Sequence, residues 1–327
     1  MGLSVGIGLT NDCNLNCAHC YRPTDRIDRL TLEDVELICR TLPVGAIGLG
    51  TGENALHPQF LAIVGYLRDQ NIPLSLASNG YSLNTMPEEY LRAFHDVEVS
   101  IDFPTSQEQD AFRGQGNWRD IHAAMNRCQR LGLPVSILAT LMNTNYERMD
   151  DLARLAQARA VNLRVNAYQP VRNDRFTLSY AQFWEGYRRL FGSARLVSCT
   201  EPVVRAALGL DSVRSPCGHE SIRVTPKRNV APCVYWPEAS LTIDDLVRLG
   251  EGILLTPQFR SATQVPPVAS DCRCQGGCAS RRALLGELNR HDMYCPWVRG
   301  DDLHLGFQSA EPKDLVRSRN YCTTIVT

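Results

Sequence analysis

Residues 46–78, AIGLGTGENALHPQFLAIVGYLRDQNIPLSLAS, hold two short apolar runs, AIGLG (46–50) and LSLAS (74–78), on either side of the amphipathic stretch FLAIVGYLRDQ (60–70). Strand, helix-period stretch, strand is the signature of a βαβ unit with two parallel strands. The same alternation runs outward in both directions. Upstream lie SVGIGL (4–9) and LEDVELICRTL (32–42); downstream come EEYLRAF (88–94), VEVSI (97–101), IHAAMNRCQRLG (121–132), VSILATL (135–141), MDDLARLAQAR (149–159) and NLRVNAY (162–168). Six strands with crossover helices make this an α/β chain. The expected fold is an open, partial (β/α)6 TIM-like barrel, because the residues with chemical potential gather just after strand ends, the functional face of β/α barrels. A doubly wound sheet remains compatible with periodicity alone.

Past about residue 191 the alternation stops, and the chain turns rich in Cys, Pro and Gly, with one amphipathic stretch, LTIDDLVRLGEGILL (241–255). The expected organisation is a barrel unit over 1–190, a small cysteine-rich C-terminal domain over 191–305 and a tail over 306–327. That tail has no strong periodicity and reads either as disordered or as a cover for the barrel mouth.

The 327 residues carry a formal charge of −1, so there is no basic excess for a phosphate backbone and nucleic acid is not an expected partner. No apolar run is long enough to span a bilayer and no signal-peptide pattern opens the chain, so the expectation is a cytoplasmic protein with no membrane partner. Thirteen cysteines in such a compartment point to metal rather than disulfides.

TNDCNLNCAHCYRP (10–23) places Cys13, Cys17 and Cys20 in C-x3-C-x2-C spacing on the loop after the first strand. Closed structural metal sites use four protein ligands, whereas three thiolates leave one position open for chemistry. A zinc site borrowing His19 or His57 is the alternative. This segment resembles the radical S-adenosylmethionine (SAM) superfamily, in which the spacing holds a [4Fe–4S] cluster whose open iron chelates SAM. The resemblance implies one-electron reduction of the sulfonium and release of a 5′-deoxyadenosyl radical that abstracts hydrogen from substrate.

Further matches follow in strand order. GLGTGENALHPQF (48–60) resembles the family's Gly-Gly-Glu motif at Gly50, Gly52 and Glu53, with Thr51 and Asn54 as departures. Glycines there allow close backbone approach, and the carboxylate suits the methionine ammonium. Ser78 and Asn79 stand where relatives show Thr-Asn-Gly, and Ser100 and Asp102 where relatives carry a Ser-x-Asp that contacts SAM. Arg113, in a loop leading to a helix, resembles an arginine that pairs with the SAM carboxylate, and Asn145 follows the fifth strand in a similar position. Each has a bland reading as well, such as a helix cap, a surface arginine or a loop asparagine.

CGHESIRVTPKRNVAPC (217–233), CRCQGGC (272–278) and MYCPW (293–297) resemble the SPASM and twitch extensions that hold auxiliary clusters. Arg228 replaces a usual glycine, and the usual C-x2-C ahead of the last pair is missing. By resemblance Cys217, Cys233 and Cys278 share one [4Fe–4S] cluster, with Cys199, and Cys272, Cys274 and Cys295 bind another with an open iron. Two clusters want eight thiolates and these are seven, so the expectation is one or two auxiliary clusters. A structural zinc domain is the competing reading. Cys39 and Cys128 read as small hydrophobes on helices, Cys322 stays unassigned, and His219, Tyr235 and Trp236 read as rim or core packing.

The function this implies is a radical SAM enzyme that oxidatively cross-links, cleaves or epimerises a ribosomally made peptide. A flavodoxin- or ferredoxin-type electron donor is expected. With a strand at the very start, no N-terminal recognition domain is expected, so the leader would dock on the extension or on a separate leader-binding protein. The alternatives are a small-molecule radical SAM enzyme, acting on a tetrapyrrole side chain or an aminoglycoside-type alcohol, and a non-enzymatic Fe–S or zinc scaffold.

Overall fold

In the computed structural model, which describes residues 2–210, 217–237, 239–310 and 322–327, the first six strands are β1 (Leu3–Gly8), β2 (Val44–Gly50), β3 (Leu74–Ser78), β4 (Asp96–Ser100), β5 (Val135–Leu141) and β6 (Asn162–Ala167). Each pairs in parallel with the next in strictly sequential order. A doubly wound sheet reverses its strand order partway, so the partial-barrel expectation holds. The barrel is open, because β1 and β6 do not pair with each other.

Strand alternation sorts the side chains. Ile47 and Leu49, Leu74 and Leu76, Val97 and Val99, Ile137 and Ala139, and Leu163 and Val165 are buried in the main core. Each such residue stabilises the fold by about 2 kcal/mol if large and aliphatic. Their alternate neighbours, Gly48 and Gly50, Ser75 and Ala77, Glu98 and Ser100, Leu138 and Thr140, and Arg164 and Asn166, turn inward and line a cavity. Small residues on β2 and β3 keep that interior open. Capping boxes start three of the helices, with Thr31 and Asp34 before 32–41, Ser179 and Gln182 before 180–193, and Thr242 and Asp245 before 243–249.

The cysteine-rich region continues the barrel's own sheet. The remaining strands are β7 (Leu196–Cys199), β8 (Ser221–Val224), β9 (Asn229–Ala231), β10 (Leu241–Thr242) and β11 (Thr323–Val326). β8 pairs in parallel with β1 and leads on to β9 and β10, while β11 inserts antiparallel between β6 and β7. The tail thus ends as a buried strand, with Thr324 fully buried and Val326 at 1% exposure. Four residues are too few to show a period. The tail's residues 311–321 lie outside the described residues.

Candidate functional site

The cavity, of about 270 Å³, lies at the C-terminal ends of β2–β6. Cys13, Cys17 and Cys20 all line it, on the loop after β1, together with Gly50, Gly52, Glu53, Ser78, Asn79, Ser100 and Arg113. Burial pushes the Cys13 thiol up to about 11 and raises Cys17 also, with Arg113 pulling Cys17 back. Such thiols stay protonated at neutral pH in the absence of a metal, and a metal that binds them displaces the proton. The donors fit a four-iron cluster, which spreads its thiolates over separate irons. Neither alternative zinc ligand turns to these sulfurs. His57 Nε2 meets the Leu30 carbonyl at 2.7 Å and its Nδ1 accepts from the Gln59 amide, while His19 Nε2 lies 3.6 Å from Asp102 and its ring stacks on Phe112.

Gly52 adopts φ +65°, and a Cβ there would come within 2.5 Å of the Thr10 and Asp12 carbonyl oxygens, so only glycine fits. Thr51, the departure from the expected glycine, sits at φ +71°, a strained position for a β-branched residue. Hydrogen bonds hold it there, one shared with Tyr21 Oη at 2.8 Å and one from Arg223 at 3.3 Å.

Several of the residues expected to contact SAM also make hydrogen bonds that join the loops around the cavity. The Glu53 carboxylate accepts from Ser78 Oγ (2.6 Å), Ser82 N (2.8 Å) and Asn79 N (2.9 Å), and so locks the turn after β3 to the turn after β2. Asn79 in turn donates to Asn14 and approaches Cys13 Sγ at 3.6 Å. Asp102 is fully buried, accepts from Thr140 N, and holds Arg113. Arg113 is the last residue of helix 106–113 rather than part of a loop. The Asn145 side chain is spent on the Asp102 and Thr140 carbonyls and on Met142 N, joining the ends of β4 and β5. Its amide faces backbone, and that is a structural task.

Other cavity residues escaped the motif reading. Arg164, 1% exposed, bridges Asp96 and Glu98 across the floor, and burial, opposed by the Arg164 charge, lifts the Asp96 carboxyl to about 7. Glu98 precedes Ser100 by two and Arg164 precedes Asn166 by two, so strand periodicity carries this signal. His19, Tyr21, Tyr168 and Gln169 also line the wall, and from the C-terminal region come Arg223, Val234, Tyr235 and Thr323. Tyr235 packs edge-on against Tyr21 at 5.4 Å, so this residue, read above as rim or core packing, forms part of the roof.

The C-terminal cysteines fall into two groups. Cys272, Cys274 and Cys295 meet with sulfur separations of 3.1, 3.4 and 3.5 Å, a donor set for a metal centre. In the other group Cys278 meets a residue left unassigned above, Cys322, at 3.9 Å. Cys199 turns its sulfur instead to Thr324 Oγ1 and the Glu201 carbonyl. A buried Arg281 holds this region together, bonded to Asp292 and Glu201, while Asp292 accepts from Cys278 N and Tyr294 N.

A partial barrel whose cavity is edged by a C-x3-C-x2-C loop defines an iron–sulfur protein that works at strand C-terminal ends. Residues 7–156 match the profile of the radical SAM superfamily. That stretch of the chain is therefore a radical SAM domain, of the kind that works with a [4Fe–4S] cluster and SAM. The chain is similar to the mycofactocin maturase MftC of Mycobacterium ulcerans, 27% identical over 170 residues, or 50% of this chain; it spans only 46% of that relative's own length. In fold it resembles anSMEcpe with bound AdoMet (TM-score 0.72, 17% identity, 91% of this chain and 92% of that one). It also resembles Streptococcus suis SuiB bound to the precursor peptide SuiA (TM-score 0.69, 13% identity, 90% and 75%). Among the described residues, no helix is long and apolar enough to cross a membrane.

Proposed function

We propose that this chain oxidatively modifies a ribosomally made peptide, using a cluster held by Cys13, Cys17 and Cys20 and a SAM molecule bound in the cavity beside it. The observation that carries this reading is the convergence of those cysteines, the Gly50–Glu53 turn and Arg113 on one cavity under a roof that includes Tyr235. When bound, the cluster supplies one electron to SAM and the resulting 5′-deoxyadenosyl radical removes a substrate hydrogen.

The chain's own residues would position and enclose. Gly50 and Gly52 let the backbone approach the methionine end of SAM, Arg113 supplies a cation for its carboxylate, and Ser78, Asn79 and Ser100 offer polar contacts. Val234 and Tyr235 keep bulk water from the reacting atoms. In this reading 1–190 is the radical-generating unit, and 191–305, with the tail 306–327, holds the auxiliary sites built from Cys217, Cys233, Cys272, Cys274, Cys278 and Cys295. A peptide substrate is favoured by the relatives, since one is named a maturase and another was solved with its precursor peptide. An electron donor of the flavodoxin or ferredoxin type and a leader-binding surface or protein complete the system.

The test is to incubate enzyme, SAM and reductant anaerobically with the short peptide encoded beside the gene, and to weigh the product. The expected result is a loss of about two hydrogens per modification. An unchanged peptide, with 5′-deoxyadenosine formed only on adding a small-molecule pool, would move the assignment to a small substrate.

A further inference from the structure

We propose that Cys322, at the head of the C-terminal strand β11, is the fourth protein ligand of the auxiliary site containing Cys217, Cys233 and Cys278. The proposal rests on the auxiliary-cluster reading above and deepens it.

Three elements far apart in sequence meet here. Cys278 N-caps helix 279–284, where its amide is anchored by Asp292. Cys217 and Cys233 flank the β8–β9 hairpin. Arg223 pairs with Ala231 across it, so the same register continued by two residues sets Cys233 opposite Ser221, and Cys217 bridges that same Ser221. The two segments touch, because a Cβ on Gly218 would lie 3.1 Å from Pro232. Cys322 then arrives from the other end of the sheet, at the head of β11 between β6 and β7. Its sulfur lies 3.9 Å from Cys278 Sγ.

The backbone gives a second, independent sign. Cys322 adopts φ +44°, in the left-handed region that a non-glycine residue occupies at a cost. That turn aims the thiol at Cys278 while the next residue enters β11, where Thr323 pairs with Asn166 of β6 and lines the cavity. The thiolate count also closes. Cys199, expected in this group, is turned to Thr324 and Glu201, and Cys322 takes its place, so Cys217, Cys233, Cys278 and Cys322 form a complete set of four. A fully ligated cluster has no open iron for substrate. Its consequence here is to pin β11 against β6, beside the cavity.

The experiment uses the full chain, reconstituted anaerobically with iron and sulfide, in a background where Cys13, Cys17 and Cys20 are alanine so that remaining iron reports the C-terminal sites alone. Iron, acid-labile sulfide and the EPR spectrum of the reduced protein are compared for this parent and for added Cys322→Ala, Cys322→Ser and, as a control for removing a thiol elsewhere, Cys39→Ala. Both Cys322 variants are expected to lose about four irons or to shift one EPR signal, with Cys39→Ala matching the parent. Unchanged iron and EPR in both Cys322 variants overturns the proposal. Replacing Cys217, Cys233 and Cys278 together separates the two readings: if that variant also keeps all its iron, the auxiliary-site reading fails, whereas if it loses iron and the Cys322 variants do not, only the fourth ligand is wrong. Wild-type protein gives a readout free of folding defects. Iodoacetamide should label Cys322 far faster after chelator strips the iron, and equal labelling before and after contradicts the assignment.

Discussion

Arg113 donates to a single oxygen of Asp102 through both Nε and Nη2, each at 2.7 Å, and its own backbone carbonyl faces the Cys17 thiol at 3.8 Å. Asp102 therefore sets the position of a residue that borders the cysteine loop. Its other oxygen accepts from Thr140 N, which ties the pair to β5. Asp102→Asn would leave a buried guanidinium without its charge partner, which costs about 3 kcal/mol. Urea unfolding of the apo-protein measures this directly. A loss under about 1 kcal/mol would mean that Arg113 finds another partner at little cost.

The Arg228 turn is a second place where a departure from the family pattern can be tested. Thr225 accepts from Arg228 N at 2.9 Å, and Arg228 adopts φ +66°, which makes the β8–β9 loop a three-residue hairpin whose last position favours glycine. Arginine stays there with half-exposed ion pairs to Asp244 (2.9 Å) and Asp34 (3.3 Å), of the kind worth little individually. Arg228→Gly should melt at or above the wild-type temperature. Arg228→Ala keeps the backbone strain without the ion pairs and should be less stable than the glycine variant by about 1 kcal/mol. Equal stability of the two variants would show that the turn relaxes.

His122 gives a pH signature. It is 9% exposed, its Nδ1 meets the Arg159 guanidinium, and burial followed by that charge lowers its pKa from 6.5 to about 4. A folded state that holds histidine neutral binds fewer protons than the unfolded chain, so the penalty is absent above about 6.5 and grows as pH falls from there toward about 4. Wild type should therefore lose stability across that window, and His122→Phe should lose less of it. Parallel curves for the two proteins would show that His122 titrates normally.

How much of this was legible in the sequence differs by layer. The six barrel strands were readable as short apolar runs separated by amphipathic stretches, and the C-x3-C-x2-C loop because its spacing is local. The roles of Glu53, Asp102 and Asn145 were not: their partners, Ser82, Thr140 and Met142, come from other turns and strands that only the fold brings near. Motif position marked these residues as important without saying whether they touch SAM or hold what does. Cys322 was hidden for the same reason, since 44 residues separate it from Cys278 and the strand that follows it is too short to declare itself. Glu98 and Arg164 could have been found by counting two back from Ser100 and Asn166.

The measurement that tests the central claim most directly is 5′-deoxyadenosine production by reduced, reconstituted enzyme in which Cys13, Cys17 and Cys20 are all alanine. The predicted result is complete loss of SAM cleavage, with the iron of the C-terminal cysteines retained because their ligands come from separate loops. Continued SAM cleavage by that variant would contradict the account.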